Sequence, residues 1–136
     1  MSEHEFNSVM QKFLGAIETG NEGVIREVYS DDVQIWHNFT NAKISKEPGI
    51  ALVMGVFRGG VRLRYVFEEQ LVLGNRGVRR HRVEATRPDG QQLQIHVAMF
   101  ATIEKGQIVR LDEYVDSREL EPLGGGVEGL VSKPAC

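Results

Sequence analysis

The sequence predicts an α+β fold in which helices come first and an antiparallel sheet follows. The spacing of the apolar residues changes along the chain. Up to Phe57, apolar residues recur mainly at the three- to four-residue spacing of amphipathic helices, and beyond Gly59-Gly60 they recur at every second residue, as in strands. With 136 residues, 41% of them hydrophobic and 26% charged, the chain can bury the core of one domain.

Three helices are predicted before the change of period. Gly20 is placed to end the first, Asn21 to cap a short second helix that carries Tyr29 inward, and Ser45 to cap the third. A strand over residues 33–39 separates the second and third helices. The apolar stripes of the first and third helices are Phe6, Val9, Met10, Phe13, Leu14 and Ile17, and Ile50, Val53, Met54 and Phe57.

Four strands then follow as a meander, over residues 61–73, 78–86, 91–104 and 107–116. Turns rich in glycine separate them, including Pro88-Asp89-Gly90 and Lys105-Gly106. We assign residues 1–122 to the single domain and residues 123–136, which begin with a glycine-rich stretch, to a flexible C-terminal arm.

Composition excludes several classes of function. A net charge of −3 gives no electrostatic basis for binding nucleic acid or anionic membrane, and no apolar run approaches the roughly 20 residues that span a bilayer. The N-terminus lacks a secretory signal, and the single cysteine is Cys136, so a cytoplasmic protein without disulfides is expected. No glycine-rich phosphate loop or metal-binding histidine spacing is present, so neither a cofactor nor a metal is predicted.

Glu113 is the first candidate for a functional residue. Alternation along the last strand places it on the same side as Val109, Leu111 and Val115, a row that should be buried. An ionised carboxylate in apolar surroundings is costly unless it has a partner. A one-residue bulge would exchange the two faces and bring Asp112 inward instead.

Partners for Glu113 are sought on two other strands. Trp36 and Asn38 share one side of the strand at residues 33–39, and Arg82 and Glu84 share one side of the strand at residues 78–86. His37 and His81 fall on the opposite sides and are expected to face outward. Alternation alone does not decide which faces converge.

The order of elements, with Trp-His-Asn at residues 36–38 and Asp-Glu-Tyr-Val-Asp-Ser at residues 112–117, resembles the SnoaL-like branch of the nuclear transport factor 2-like superfamily. That superfamily includes ketosteroid isomerases and limonene-1,2-epoxide hydrolases. The resemblance implies a curved, mainly antiparallel sheet, wrapped as a cone around the N-terminal helices. It also implies an apolar pocket and a homodimer formed through the outer face of the sheet.

The epoxide hydrolase branch has matching positions at Trp36, Asn38, Arg82, Glu84 and Glu113. There are three departures from its pattern: a tryptophan stands in place of a tyrosine, and two glutamates stand in place of aspartates. The resemblance implies that these residues would share one site. It further implies a pocket for an apolar small molecule, for which we select Trp36, His96, Phe100, Phe13, Met54 and Phe57.

Three functions are compatible with these residues. The first is cofactor-independent isomerisation or cyclisation, in which Glu113 moves a proton next to a carbonyl group. The second is epoxide hydrolysis, in which Glu84 and Asn38 activate a water, Glu113 protonates the leaving oxygen and Arg82 bridges the carboxylates. The third is non-catalytic binding of a hydrophobic ligand, or a dimerisation module.

Overall fold

The computed structural model describes residues 3–123. Within this part of the chain, helices and a curled sheet that does not close form the predicted α+β architecture. The elements are α1 (Glu3–Thr19), α2 (Glu22–Val28), β1 (Tyr29–His37), β2 (Ala42–Ile44), α3 (Lys46–Arg58), β3 (Arg62–Leu73), β4 (Arg76–Thr86), β5 (Gln92–Glu104), β6 (Gln107–Val115), α4 (Ser117–Leu120) and a final 3-10 turn (Glu121–Leu123).

The six strands lie in the order β2-β1-β6-β5-β4-β3. The predicted meander is confirmed, because β3 to β6 pair in sequence as antiparallel neighbours. β1 pairs with β6 in parallel, which brings the first and last long strands side by side next to the edge strand β2. The sequence analysis missed β2, a three-residue strand too short to show an alternating pattern.

The helices cover the concave face of the sheet. α1 packs against β3, and its predicted apolar stripe is buried apart from the half-buried Val9. The boundary between α2 and β1 differs from the prediction, because Tyr29 is the first residue of β1 and not the last residue of α2. Its ring packs on Phe13 of α1 with the ring centroids 5.2 Å apart.

A bulge in β6 decides which carboxylate faces inward. Ile103 pairs with Ile108 and Thr102 with Arg110, so one residue of β6 is skipped. Ile108 and Leu111 therefore both point into the core although they are three residues apart. Because the bulge precedes Leu111, Glu113 keeps the inward direction predicted for it, and Asp112 lies on the outer face.

The described fold continues to Leu123, one residue past the domain boundary at 122 that we predicted. Leu120 and Leu123 are both buried, so the short α4 and the 3-10 turn belong to the core. The remainder of the predicted arm, residues 124–136, lies outside the described residues. None of the helices between residues 3 and 123 is both long and apolar enough to cross a membrane.

Candidate active site

An internal cavity of about 100 Å³ lies between α1, α3 and the concave face of the sheet. Apolar side chains from every layer make up most of its wall, among them Phe13, Val53 and Met99. Four polar side chains interrupt this wall: Tyr29, His37, Tyr65 and Glu113. A largely apolar cavity with a few convergent polar groups is typical of a small-molecule site.

Glu113 and His37 form the polar centre of this cavity. They stand directly opposite each other in the register of β6 and β1, and His37 Nε2 lies 3.3 Å from Glu113 Oε1. The side chains are 21% and 10% exposed, respectively, and both line the cavity. The pair is therefore shielded from bulk water while remaining accessible to a bound molecule.

Asn38 fixes the register that creates this pair. Its side-chain amide donates to the carbonyl oxygen of Val115 at 3.1 Å and accepts from the backbone N–H of Val115 at 3.0 Å. Its backbone N–H donates to the carbonyl oxygen of Glu113 at 3.1 Å. Because both ends of the amide are engaged, Asn38 is a positioning residue here and is not available to hold a water, as the hydrolase hypothesis required.

The environment of Glu113 perturbs its acidity in two directions. Burial alone raises the pKa of its carboxyl group, but hydrogen bonding and electrostatic interaction with His37, together with interaction with His81, hold the pKa below its ordinary value. Glu113 is therefore ionised at neutral pH within an apolar cavity. A desolvated carboxylate of this kind can act as a base toward a bound substrate.

Tyr29 and Tyr65 supply hydroxyl groups beside this carboxylate. Burial raises the pKa of each phenol, and the charge of Glu113 raises it further, so both stay protonated at neutral pH. Among residues 3–123, neither hydroxyl has a hydrogen-bond partner. Tyr65 is held in place through its backbone N–H, which donates to a Glu18 carboxylate oxygen on α1 at 2.7 Å.

His81 lies behind the cavity wall and is fully buried. It packs edge-on against Tyr65, with the ring centroids 5.0 Å apart, and neither ring nitrogen has a partner among the described residues. Burial lowers the pKa of His81 to about 4, an effect that Glu113 opposes. His81 is thus a neutral imidazole in the second layer around Glu113.

The structure separates Arg82 and Glu84 from Glu113 and so corrects the predicted constellation. On β4 the inward positions are occupied by His81 and Val83, and the alternate residues Arg82 and Glu84 lie on the outer face of the sheet. Glu84 bonds to Arg64 Nε at 2.9 Å and lies 3.6 Å from Arg82. The hydrogen bond from Arg64 is the main cause that lowers the pKa of Glu84.

Three predicted pocket residues also lie on the outer face. Trp36 packs edge-on against Tyr114 at 5.1 Å, and Phe100 contacts the same tyrosine at 5.9 Å. Trp36 Nε1 donates to Asn41 Oδ1 at 3.1 Å. His96, which is 64% exposed, pairs with Glu119 at 3.0 Å. None of these three lines the cavity, because each alternates with an inward apolar neighbour.

Of the remaining pocket predictions, Phe13 lines the cavity as expected. Met54 is buried in the core without reaching the cavity wall, and the half-buried Phe57 lies under the guanidinium of Arg62, 3.8 Å from the ring centroid. α3 instead contributes its neighbouring face. There a Cβ on Gly49 would overlap Ile35 Cδ1, so a larger residue would require the Ile35 side chain to shift.

The sequence held a signal for His37 that was not followed. Ile35 and Phe39 flank it at alternate positions, and this apolar row indicates the inward side of the strand. For His81 the signal was weaker, because Arg79 shares its side and both sides of β4 are partly charged. Tyr65 lies in a clear apolar row of the sequence. No local pattern, however, indicates that Tyr65 or Tyr29 is a neighbour of Glu113.

Chemically, the cavity presents one carboxylate, one imidazole in contact with it and two phenolic donors. This set can remove a proton from carbon or oxygen and can stabilise negative charge on a substrate oxygen. Within residues 3–123, no three side chains of the His, Cys, Asp or Glu type are grouped so that they could hold a metal ion.

Comparisons of the fold agree with this architecture. IdmH from Streptomyces antibioticus, a candidate polyketide cyclase, superposes with a TM-score of 0.75 at 13% identity, covering 86% of this chain and 96% of IdmH. An LEH-like epoxide hydrolase from M. tuberculosis gives 0.73 at 17% identity, with 94% and 96% covered. PrhC from Penicillium brasilianum gives 0.79 at 10% identity, with 93% and 95% covered. At such identities these superpositions establish the fold alone.

Sequence comparison points to the same group of proteins. Among curated proteins, none matches the chain. The family of SnoaL-like domains matches residues 10–111. Because this match spans well over half of the 136 residues and the fold is that of nuclear transport factor 2-like proteins, the chain belongs to the SnoaL-like domain family.

Proposed function

We propose that this protein is an enzyme that transfers a proton within an apolar, carbonyl-containing small molecule, with Glu113 as the base. The observation that carries the proposal is the ionised Glu113, which is held by His37 in an otherwise apolar cavity. If Glu113 and His37 formed a purely structural ion pair, neither the cavity beside them nor the unpaired phenol groups would be needed.

The step uses groups that line the cavity. Glu113 takes a proton from the carbon next to the carbonyl, and the electron pair moves to the carbonyl oxygen to form an enolate. The hydroxyls of Tyr29 and Tyr65 donate to that oxygen. In isomerisation, Glu113 returns the proton to another carbon of the enolate. In cyclisation, the enolate carbon attacks a second carbonyl of the same molecule, and the oxygen of that carbonyl takes the proton from Glu113.

His37 orients the base in this proposal. It engages Glu113 Oε1, and Oε2 is the oxygen that would accept the proton from the substrate. Since the pKa of Glu113 is lowered, the carboxylate is ready to accept a proton throughout the neutral range. No cofactor is required for this chemistry, because the carbonyl group of the substrate itself receives the electron pair.

Epoxide hydrolysis is the less favoured reaction. It called for Asn38, Arg82 and Glu84 beside Glu113, and of these only Asn38 lies near it, with its amide engaged by Val115. Non-catalytic binding of a hydrophobic ligand remains the competing function, and it uses the same cavity without proton transfer.

Proton exchange tests the proposal directly. Small cyclic ketones such as 2-tetralone are incubated with the protein in D₂O, and loss of the proton next to the carbonyl is followed by NMR. We expect exchange above the buffer rate, and a decrease of about 10²- to 10⁴-fold in Glu113→Gln, the range for general-base catalysis. Glu84→Gln is the matched control on the outer face, and its exchange rate should equal the wild-type rate.

The outcomes separate the hypotheses. Glu113→Gln should remain within about 1–2 kcal/mol of the wild-type stability, since it keeps the shape of the side chain. Full activity in a folded Glu113→Gln protein would remove Glu113 from the mechanism. Ketones that bind to the protein but show no exchange above the buffer rate would support ligand binding without catalysis.

We also propose a homodimer formed through the outer face of the sheet. Its support is the cluster of Trp36, Phe100 and Tyr114, in which Tyr114 is 46% exposed. Light scattering should give twice the mass of one chain for the wild type and one chain for Tyr114→Arg. Lys12→Glu, at an exposed position of α1 on the opposite side of the sheet, is the control and should stay dimeric.

A further inference from the structure

A second concave site lies at the other end of α1, between the helix N-terminus and the edge of the sheet at β3. This cleft of about 550 Å³ shares no lining residue with the cavity that contains Glu113. Its walls include Asn7 from α1, Phe67 and Gln70 from β3, and Arg79 from β4. The function proposed above makes no use of it.

Arg79 is a buried arginine that forms no ion pair among the described residues. It faces inward on β4 and is only 6% exposed, yet no carboxylate among residues 3–123 lies within ion-pair distance of its guanidinium. The other arginines of β4 all have acidic partners, as Arg80 has in Glu69 at 3.2 Å. A buried cation without a countercharge is costly, and the missing anion requires an explanation.

The side-chain hydrogen bonds of Arg79 use one of its three guanidinium nitrogens. Nη1 donates to Asn7 Oδ1 and to Gln70 Oε1, each at 3.1 Å. Nε is buried and has no partner among the described residues, and no hydrogen bond to Nη2 is found there either. A carboxylate oxygen is the preferred acceptor for a guanidinium N–H that lacks a partner.

The neighbouring amides add further donors. Because arginine has no acceptor, Asn7 and Gln70 must turn their oxygens toward it, and their NH₂ groups are then free for another partner. His4 and Glu3 also line the cleft, one as a possible donor and one as an exposed carboxylate that makes no ion pair with Arg79. The Arg79 guanidinium and the two amide NH₂ groups therefore give this side of the cleft several hydrogen-bond donors.

Phe67 indicates what else the ligand carries. Its ring is 52% exposed, and the Arg79 guanidinium lies over it, 4.6 Å from the ring centroid. The cleft is far larger than a bare ion requires. An aromatic body attached to the anion can extend across the exposed part of this ring, a favourable arrangement of aromatic groups.

We propose that this cleft binds an aromatic carboxylate, with the carboxylate on Arg79 and the aromatic body against Phe67. The site is separate from the proton-transfer site. Arg79 is opposite Met99 and Met99 is opposite Glu113 in the register of β4, β5 and β6, so two strand spacings, roughly 10 Å, separate the backbones that carry the two charges.

Titration of the isotopically labelled full-length protein with 2-naphthoate, followed by NMR, tests the proposal. We expect saturable shifts at Asn7, Phe67 and Gln70, and binding at least tenfold weaker in Arg79→Gln. Arg80→Gln, the neighbouring exposed position on the outer face, is the matched control and should bind as the wild type does.

Asn7→Asp provides a test that does not depend on removing the arginine. It places a carboxylate of almost the same shape 3.1 Å from Nη1, where it supplies the missing countercharge from within the chain. The variant should melt at a higher temperature than the wild type and bind 2-naphthoate at least tenfold more weakly. Unchanged affinity in both this variant and a folded Arg79→Gln would overturn the proposal.

Two further probes define the ligand class. 2-Naphthol, which is neutral, and inorganic phosphate, which lacks an aromatic body, should each bind at least tenfold more weakly than 2-naphthoate. Equal binding of the neutral compound would show that charge plays no part, and equal binding of phosphate would show a site for bare anions; either result overturns the proposal as stated. Glu113→Gln should not change the affinity.

Discussion

A histidine is paired with a glutamate on each face of the sheet. The two pairs have similar distances, but their exposure to solvent differs. On the inner face His37 lies 3.3 Å from Glu113, with side chains 10% and 21% exposed. On the outer face His96 lies 3.0 Å from Glu119, with side chains 64% and 29% exposed. Solvent screens the outer pair, whereas apolar walls surround the inner one, so only the inner pair has the dry setting in which acid–base chemistry is efficient.

The same contrast separates the carboxylates of the sheet. Glu84 on the outer face is shared by Arg64 and Arg82, and its charge is balanced by the surface network. Glu113 has no arginine or lysine partner among the described residues, and its ion-pair contact there is the imidazole of His37. A carboxylate without a permanently charged partner remains available to accept a proton, which is what distinguishes a candidate base from a structural ion pair.

The contrast between the dry inner face and the solvated outer face predicts its largest stability effect at His81. Its pKa is lowered by burial from 6.5 to about 4, so between these values the unfolded chain binds a proton that the folded chain does not. Stability therefore falls as pH falls from 6.5 toward 4, by about 3 kcal/mol from this group. His81→Phe should remove that part of the loss in urea unfolding measured from pH 7 to 4.

Leu73→Phe, a change at an exposed position without a titratable group, is the control for the acid experiment. It should leave the pH dependence of unfolding equal to that of the wild type, because it removes no protonation equilibrium. If His81→Phe loses as much stability on acidification as the wild type does, burial of a neutral His81 is not the cause.

The next largest effect is expected from removing the hydroxyl groups of Tyr29 and Tyr65. Tyr29→Phe and Tyr65→Phe each remove one donor to the enolate oxygen and should lower the rate of ketone proton exchange by about 10- to 100-fold. Tyr114→Phe on the outer face, measured in the same NMR assay, should leave the rate unchanged. A rate unaffected by both inner substitutions would mean that other groups stabilise the enolate.

A change in pH profile distinguishes a positioning role for His37 from simple packing. Burial raises the pKa of Glu113 and His37 lowers it, so in His37→Phe only the raising influence and the contribution of His81 remain. The base must be ionised to act, and the acid limb of the pH–rate profile should therefore move to higher pH. An acid limb at the wild-type position would show that His37 does not tune Glu113.

Arg82→Gln should have the smallest effect. Arg82 lies 3.7 Å from Glu68 and 3.6 Å from Glu84 on a partly exposed face, where such pairs contribute at most about 1 kcal/mol. Urea unfolding at pH 7 measures the change. A loss of several kcal/mol would indicate that Arg82 neutralises buried carboxylates, as the sequence-based constellation required.

Periodicity was sufficient to predict most of the fold. The stripe from Phe6 to Ile17, the change of period after Gly59-Gly60 and the glycine turns depend on neighbours within a few residues, and local spacing reveals them. The parallel pairing of β1 with β6 joins residues more than 70 positions apart, and no local pattern encodes it. The start of β1 at Tyr29 was missed for a related reason, since its ring is placed by packing on Phe13.

The candidate site shows where alternation stops being informative. Alternation separated the two sides of β4 correctly but could not show which side faces inward. Arg79 and His81 on one side are as polar as Arg82 and Glu84 on the other. The inward side is the one covered by α1, and a helix packed above the strand is a tertiary fact. The resemblance to epoxide hydrolases led to the outer side, since it matched residue types without testing their surroundings.

By itself, the sequence determined that this chain forms helices followed by a meander, and that Glu113 lies in an apolar row. These properties follow from local spacing and from the cost of burying charge. Only the tertiary structure decided that His37, Tyr29 and Tyr65 accompany Glu113, and that Arg79 is buried without a countercharge. The physical reason is that partnership depends on which strands become neighbours and which face the helices cover, and both result from the packing of the whole chain.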